Sequence, residues 1–198
     1  MKLKFLKITS TIAFLNLTNI LTAAPSTEIT EAKLIGNNCE LVSLESGDGE
    51  PTKAVMQGLS AEADVEHPVQ HKKCLLSLQL KVPEGFRVGI VSGKARLKSK
   101  LAAGGTTKAS IKARYIGHPL ASTDERNFSN PGEQEDSLGG EVIIWSNCDV
   151  REPALKIGMT LSAMVENTEG AAASIQSETL ALPAFIYKKC PTSQEAGL

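Results

Sequence analysis

Aromatic side chains are scarce in this chain. One tryptophan, two tyrosines and five phenylalanines are spread over 198 residues, and Phe5 and Phe14 fall in an N-terminal segment treated separately below. The six remaining rings argue against a neutral-sugar module and against a groove for single-stranded nucleic acid, because both rely on exposed rings for stacking. An excess of positive charge is lacking too. With 21 Lys and Arg against 22 Asp and Glu, the overall balance suggests no polyanion partner, nucleic acid included. No C-x-x-C pair suggests zinc or thiol redox work. The G-x-S-x-G elbow, the G-x-G-x-x-G turn and the Walker loop are also absent, so neither nucleotide chemistry nor a cofactor is indicated.

The one long apolar run opens the chain. Lys2, Lys4 and Lys7 precede it, Asn16, Thr18 and Asn19 interrupt it, and Ala23 and Ala24 close it. That is the order of a secretory signal peptide, and the run is shorter than the roughly 20 residues a spanning helix needs, so no stable membrane insertion is expected. Cleavage after Ala23 leaves a secreted, periplasmic or extracellular chain with 18 cations and 22 acids. The expected divisions are a signal peptide over 1–23, a flexible segment over 24–36, one domain over 37–190 and a tail over 191–198. Cys39, Cys74, Cys148 and Cys190 remain, an even number that favours disulfides in an exported chain. Four cysteines allow three connectivities. The preferred one joins Cys39 to Cys74 and Cys148 to Cys190, each closing a loop worth roughly 3 to 4 kcal/mol in the chain-entropy picture.

The remaining pattern is that of strands. Leu76, Leu78, Leu80 and Val82 alternate with Ser77, Gln79 and Lys81, which gives one buried and one wet face. The same period recurs in FRVGIV, in EVIIW, in ALKIGMTLSAMV and in PAFIYKKC, with Gly, Pro and Asn turns between these runs. Short strands at this spacing predict an all-β fold, an antiparallel β-sandwich of one domain. Only GLSAEADVEH suggests a helix, capped by Ser60.

Between Lys94 and Tyr115 a cation occupies almost every second position on both sides of Gly104 and Gly105. Lys94, Arg96, Lys98 and Lys100 share one face, as do Lys108, Lys112 and Arg114, with apolar residues opposite. This reads as a β-hairpin turning over Ala103 to Gly105, Gly105 being left-handed, with cations of one arm facing cations of the other. Like charges placed so repel, and no acid occurs from Gly85 to Thr123. Either an acidic strand such as CELVSLE, with Glu40 and Glu45, lies alongside, or the seven cations form a surface for an anionic polysaccharide or an acidic protein.

Several of these words together resemble a known family. NNCELVSLE, KKCLLSLQLKVPEGFRVGI, ARYIGH, IIWSNC and the closing KKC are similar to the small secreted proteins of bacteria and fungi grouped as domain of unknown function 4360. The resemblance covers most of the chain after the signal segment and implies a disulfide framework on these four cysteines. It implies no activity. The basic character of the 94–115 segment departs from the family pattern.

Candidates for chemistry are few. His67 and His71 are spaced as on a zinc-binding helix, but Pro68 interrupts and no third ligand is near, so no metal is assigned. His118 precedes Pro119 and reads as a strand exit. A hydrolase built from one of these histidines and nearby acids is the alternative to a binding protein. The stretch 122–137 reads as a long acidic loop, carrying Asp124, Glu125, Glu133, Glu135 and Asp136, without the ligand spacing of a calcium loop; an interaction or inhibitor protein would use it. Asn127 begins a glycosylation sequon, and Trp145 is expected in the core beside a disulfide. The expected function is therefore that of an exported, non-catalytic binding or envelope-associated protein contacting its ligand through the cationic hairpin.

Overall fold

Thirteen residues from Val69 to Lys81 form the longest strand, because every second side chain from Cys74 to Leu80 is apolar and finds the interior. The computed structural model describes residues 27–36, 39–45, 53–91, 93–139, 143–166, 169–181 and 185–191. Among them every regular element is a strand: Glu28–Ile35 (β1), Glu40–Glu45 (β2), Lys53–Gln57 (β3), Ser60–Ala63 (β4), Val69–Lys81 (β5), Phe86–Val91 (β6), Lys94–Leu101 (β7), Gly105–Tyr115 (β8), Ala121–Phe128 (β9), Gly132–Leu138 (β10), Ile143–Trp145 (β11), Ala154–Val165 (β12), Ala173–Ala181 (β13) and Ile186–Lys189 (β14). The signal segment lies outside the described residues.

The strands form an antiparallel β-sandwich. One sheet has the order β1-β5-β12-β8-β9 and the other β10-β7-β13-β3-β2, with β4 also on β13; a small sheet, β11-β6-β14, adjoins them. Leu76, Leu78, Ile111, Leu155, Ile157 and Leu161 of the first sheet and Leu97, Leu138, Ile175 and Leu180 of the second belong to one buried cluster. Each such side chain contributes about 1.5 to 3 kcal/mol on leaving water. Ser99 and Thr107, both buried, satisfy each other across the interior at 2.7 Å.

Both disulfides join the expected partners. Cys39, at the start of β2, reaches Cys74 on β5 and so links the two main sheets, while Cys148 to Cys190 fastens the ends of β11 and β14. Trp145 is half-buried, its ring lying over Gly89 of β6 with the Arg87 guanidinium 5.2 Å from the ring centre.

Four expectations need correction. Residues 28–35 of the supposed flexible segment are β1, hydrogen-bonded along β5. The supposed helix is strand β4, because Ala61 and Ala63 enter the core while the backbone pairs with Ala173–Gln176; tertiary pairing overrides the helical preference of Ala and Glu. The acidic loop is two edge strands, β9 and β10, joined by a turn over 129–131. Finally, β7 and β8 are not a hairpin. The chain turns over Ala102–Gly105, with Gly104 and not Gly105 at positive φ (78°), and passes from one sheet to the other. Alternation fixes which side chains face inward, and a sandwich corner preserves that parity while changing the sheet.

A basic trough as candidate functional site

The corner sends the seven cations of the 94–115 segment to opposite faces of the sandwich. Lys94, Arg96, Lys98 and Lys100 stand on the outer face of the six-stranded sheet. There β10 lies antiparallel with Lys100 opposite Glu133 and Lys98 opposite Glu135, and the ammonium groups come within 3.3 and 3.5 Å of those carboxylates. On the other side a bulge in β13 between Ser177 and Thr179 turns Glu178 onto the same row, 2.7 Å from Lys98 and 3.8 Å from Arg96. The Lys98 ammonium holds the Glu178 carboxyl below the usual carboxylate range, and Glu178 in turn raises Lys98. The neutralising strands are therefore β10 and β13. The acidic strand expected for this role, β2, lies at the far edge of the sheet.

The five acids of the supposed loop are all engaged by cations. Glu133 and Glu135 meet Lys100 and Lys98, and Glu125 meets Lys108 at 2.7 Å. Arg126 binds Asp124 at 2.9 Å and Asp136 at 3.3 Å, tying edge strand β9 to edge strand β10 across the sandwich. Asp124 also accepts the Gly139 N–H at 2.9 Å. The acidic stretch and most of the cationic stretch thus answer each other, which leaves these carboxylates poorly placed for calcium.

The outer face of the five-stranded sheet is different. Its registers align Ser77, Lys156, Arg114 and Ala121 in one row, Leu75, Gly158, Lys112 and Thr123 in the next, and Lys73, Thr160, Ser110 and Glu125 in a third. Gly158 leaves the centre of this array without a side chain, and the result is a trough of about 430 Å³. Four strands at about 4.8 Å spacing make the array about 14 Å across. Lys73, Lys112, Arg114 and Lys156 line the trough, and among the described residues none of the four has an ion-pair partner; its one carboxylate, Glu125, is taken by Lys108. Of the seven cations singled out in the sequence, Lys112 and Arg114 are in the trough, Lys108 borders it, and Lys94, Arg96, Lys98 and Lys100 are on the opposite face. Lys73 and Lys156 escaped the sequence reading. The signal that could have found Lys156 is an outward glycine flanked by an outward lysine within an otherwise regular strand; Lys73 carries no such signal, since its strand has no glycine.

A fourth row carries His71, Ser162, Lys108 and Asn127. Ser162 Oγ is 2.8 Å from His71 Nδ1, the contact a hydrolase would need. His71 is exposed and Ser162 half-buried, and Ser162 sits mid-strand on β12, which is paired on both sides by β5 and β8, so the β12 backbone N–H groups beside it are not free to form an oxyanion hole. The other histidines stand apart: the His67 N–H donates to Asp64 at 2.7 Å in the turn before β5, and His118 Nδ1 accepts from the Leu120 N–H at 3.2 Å. That turn and strand separate His67 from His71, so their spacing does not produce a two-ligand face.

No curated protein matches the chain. Solved structures that overlap it include TmCBM61 in complex with beta-1,4-galactotriose, at 12% identity, covering 82% of this chain and 91% of that one with a TM-score of 0.26. Another is a family 11 carbohydrate-binding module from Clostridium thermocellum in complex with a beta-1,3-1,4-mixed-linked tetrasaccharide, at 10% identity, covering 83% and 91% with a TM-score of 0.25. Scores this low assign no residue of this chain a counterpart in those proteins. The family relation is firmer: the model described as Domain of unknown function (DUF4360) matches residues 25–190, and the chain belongs to that family.

Proposed function

We propose that this is an exported, non-catalytic binding protein that holds an anionic polysaccharide on the outer face of its five-stranded sheet. The observation that carries the reading is the trough itself, where four cations without ion-pair partners among the described residues surround a side-chain-free centre. Unneutralised cations gathered in a concave surface raise the local concentration of polyanions and do so less as salt screens them. Ser110, Thr123 and Thr160 add hydroxyls, which suit a polyhydroxylated chain. No aromatic side chain lines the trough, which disfavours stacked nucleobases. Export is supported by the N-terminal segment and by two disulfides, which persist in oxidising compartments.

The test is binding of the oxidised protein without residues 1–23 to polygalacturonate at low and moderate salt. The variant Lys112→Glu/Arg114→Glu/Lys156→Glu should lose on the order of 100-fold in affinity at low salt, as three attractive contacts become repulsive. The control Lys94→Glu/Lys100→Glu, on the opposite face, should bind as the parent does. Equal loss in both variants would show that overall charge and not the trough is responsible.

A further inference from the structure

Glycine inside a strand weakens it, and it is kept there for a bulge or where another group must approach the backbone closely. At Gly89 the reason is internal, since an added Cβ would lie 2.8 Å from the Trp145 ring. At Gly105 it is internal too, with the Ala172 carbonyl oxygen 2.6 Å away. Gly158 has no such reason. Its nearest neighbour would be Leu75 Cδ1 at 3.6 Å, an ordinary contact, it is not among the glycines at positive φ, and its register along β5 and β8 is unbroken. The fold does not require a glycine there, and the space it leaves faces outward into the trough.

What surrounds that space has a definite chemistry. Leu75 stands on one side in the same row and Lys112 on the other, with Lys156 and Thr160 two residues away along β12 in either direction. Arg114 and Ser110 flank Lys112 along β8. A bare stretch of backbone is thus bounded by an aliphatic wall, by cations and by hydroxyls. A saturated ring with an apolar C–H face, a carboxylate and several hydroxyls matches all three.

We infer that Gly158 is the seat for one ring of a uronate-type sugar, lying flat on β12 against Leu75 with its carboxylate toward Lys112, Arg114 and Lys156. This rests on the function proposed above and adds to it a position, a ligand class and a residue that sets specificity by having no side chain.

Gly158→Ala and Gly158→Val in the otherwise native, oxidised protein separate a ligand role from a structural one. Both leave the net charge unchanged, and both suit a strand better than glycine, so the melting temperature should hold or rise by about 2 to 4 °C. Polygalacturonate affinity should fall about tenfold or more for Gly158→Val and less for Gly158→Ala, as the seat fills. Binding of inorganic polyphosphate, held by charge alone, should change less than twofold. Polygalacturonate binding by a folded Gly158→Val equal to the parent's would overturn the inference, as would an equal loss for polyphosphate, and either would leave the cationic surface standing. If valine perturbs folding, the alanine variant gives the same reading, with ordinary contact the closest that its methyl meets. Failure of the parent to bind either polymer would instead overturn the proposed function and this inference with it.

Discussion

Both outer faces of the sandwich carry rows of Lys and Arg and treat them oppositely. On the six-stranded sheet β7 presents Arg96, Lys98 and Lys100 between Glu133 and Glu135 of β10 and Glu178 of β13, and the charges close on one another. On the five-stranded sheet β8 presents Lys112 and Arg114 beside Lys156 and Gly158 of β12 and Thr123 of β9, and the charge stays open. The strand sequences alone do not distinguish the two rows. What decides the outcome is the neighbour that the topology supplies: a cationic strand keeps its charge open only where its partners withhold their acids. The charges of the neutralised face also have a second use, because a charged edge strand such as β10 discourages pairing with other chains.

Removing the acids from the closed face should have the largest effect. In Glu133→Gln/Glu135→Gln/Glu178→Gln, Arg96, Lys98 and Lys100 become free, and the six-stranded sheet should acquire salt-sensitive binding to polygalacturonate within about tenfold of the trough's own. Sedimentation with the polymer in a background of Lys112→Glu/Arg114→Glu/Lys156→Glu would isolate that new site. If none appears, uncompensated charge is insufficient, and the shape at Gly158 matters more than the electrostatics.

A smaller effect sharpens the same contrast through pH. Glu178 is held below its ordinary value by Lys98, so its contribution to stability is fully present above that ordinary value and disappears as the pH falls through the lowered one. Lys98 is raised by Glu178, so its contribution is present below the ordinary lysine value and disappears as the pH rises through the raised one. Melting curves should therefore show an acid loss and an alkaline loss, both reduced in Glu178→Gln. Each change will be small, since the groups are solvent-accessible and surface pairs contribute little. Curves for parent and variant that run parallel throughout would remove Glu178 from the account.

Much of this arrangement was legible in the chain. Alternation in LLSLQLK and ALKIGMTLSAMV gave β5 and β12 and told which residues face inward, because burial enforces a period of two. The even cysteine count and the loop lengths pointed to the two observed bridges. Three things were hidden for physical reasons. The stretch 122–137 looked like a loop because edge strands are polar on both faces, with Arg126 and Asp136 spanning the sandwich rim where a core residue would otherwise sit. β1 looked flexible because an irregularity between Ile29 and Glu31 breaks the alternation of Ile29 with Ala32 and Leu34, which pack against the core from this edge strand. The trough was hidden because it is a property of registers that bring β5 and β12 beside the β8–β9 pair from far away in sequence, and no single strand displays it. The cation row was visible and its partition between two faces was not, since parity is silent about which sheet a strand joins.

In the proposed function, open charge on one face, and not cationic sequence as such, makes the binding surface. The most direct measurement is amide chemical-shift mapping of the oxidised protein titrated with short oligogalacturonates at low salt. The account predicts shifts concentrated at Lys73, Leu75, Lys112, Arg114, Lys156 and Gly158, with residues 96–100 and 133–135 undisturbed. Shifts concentrated on that second group, or spread evenly over every cation, would contradict it.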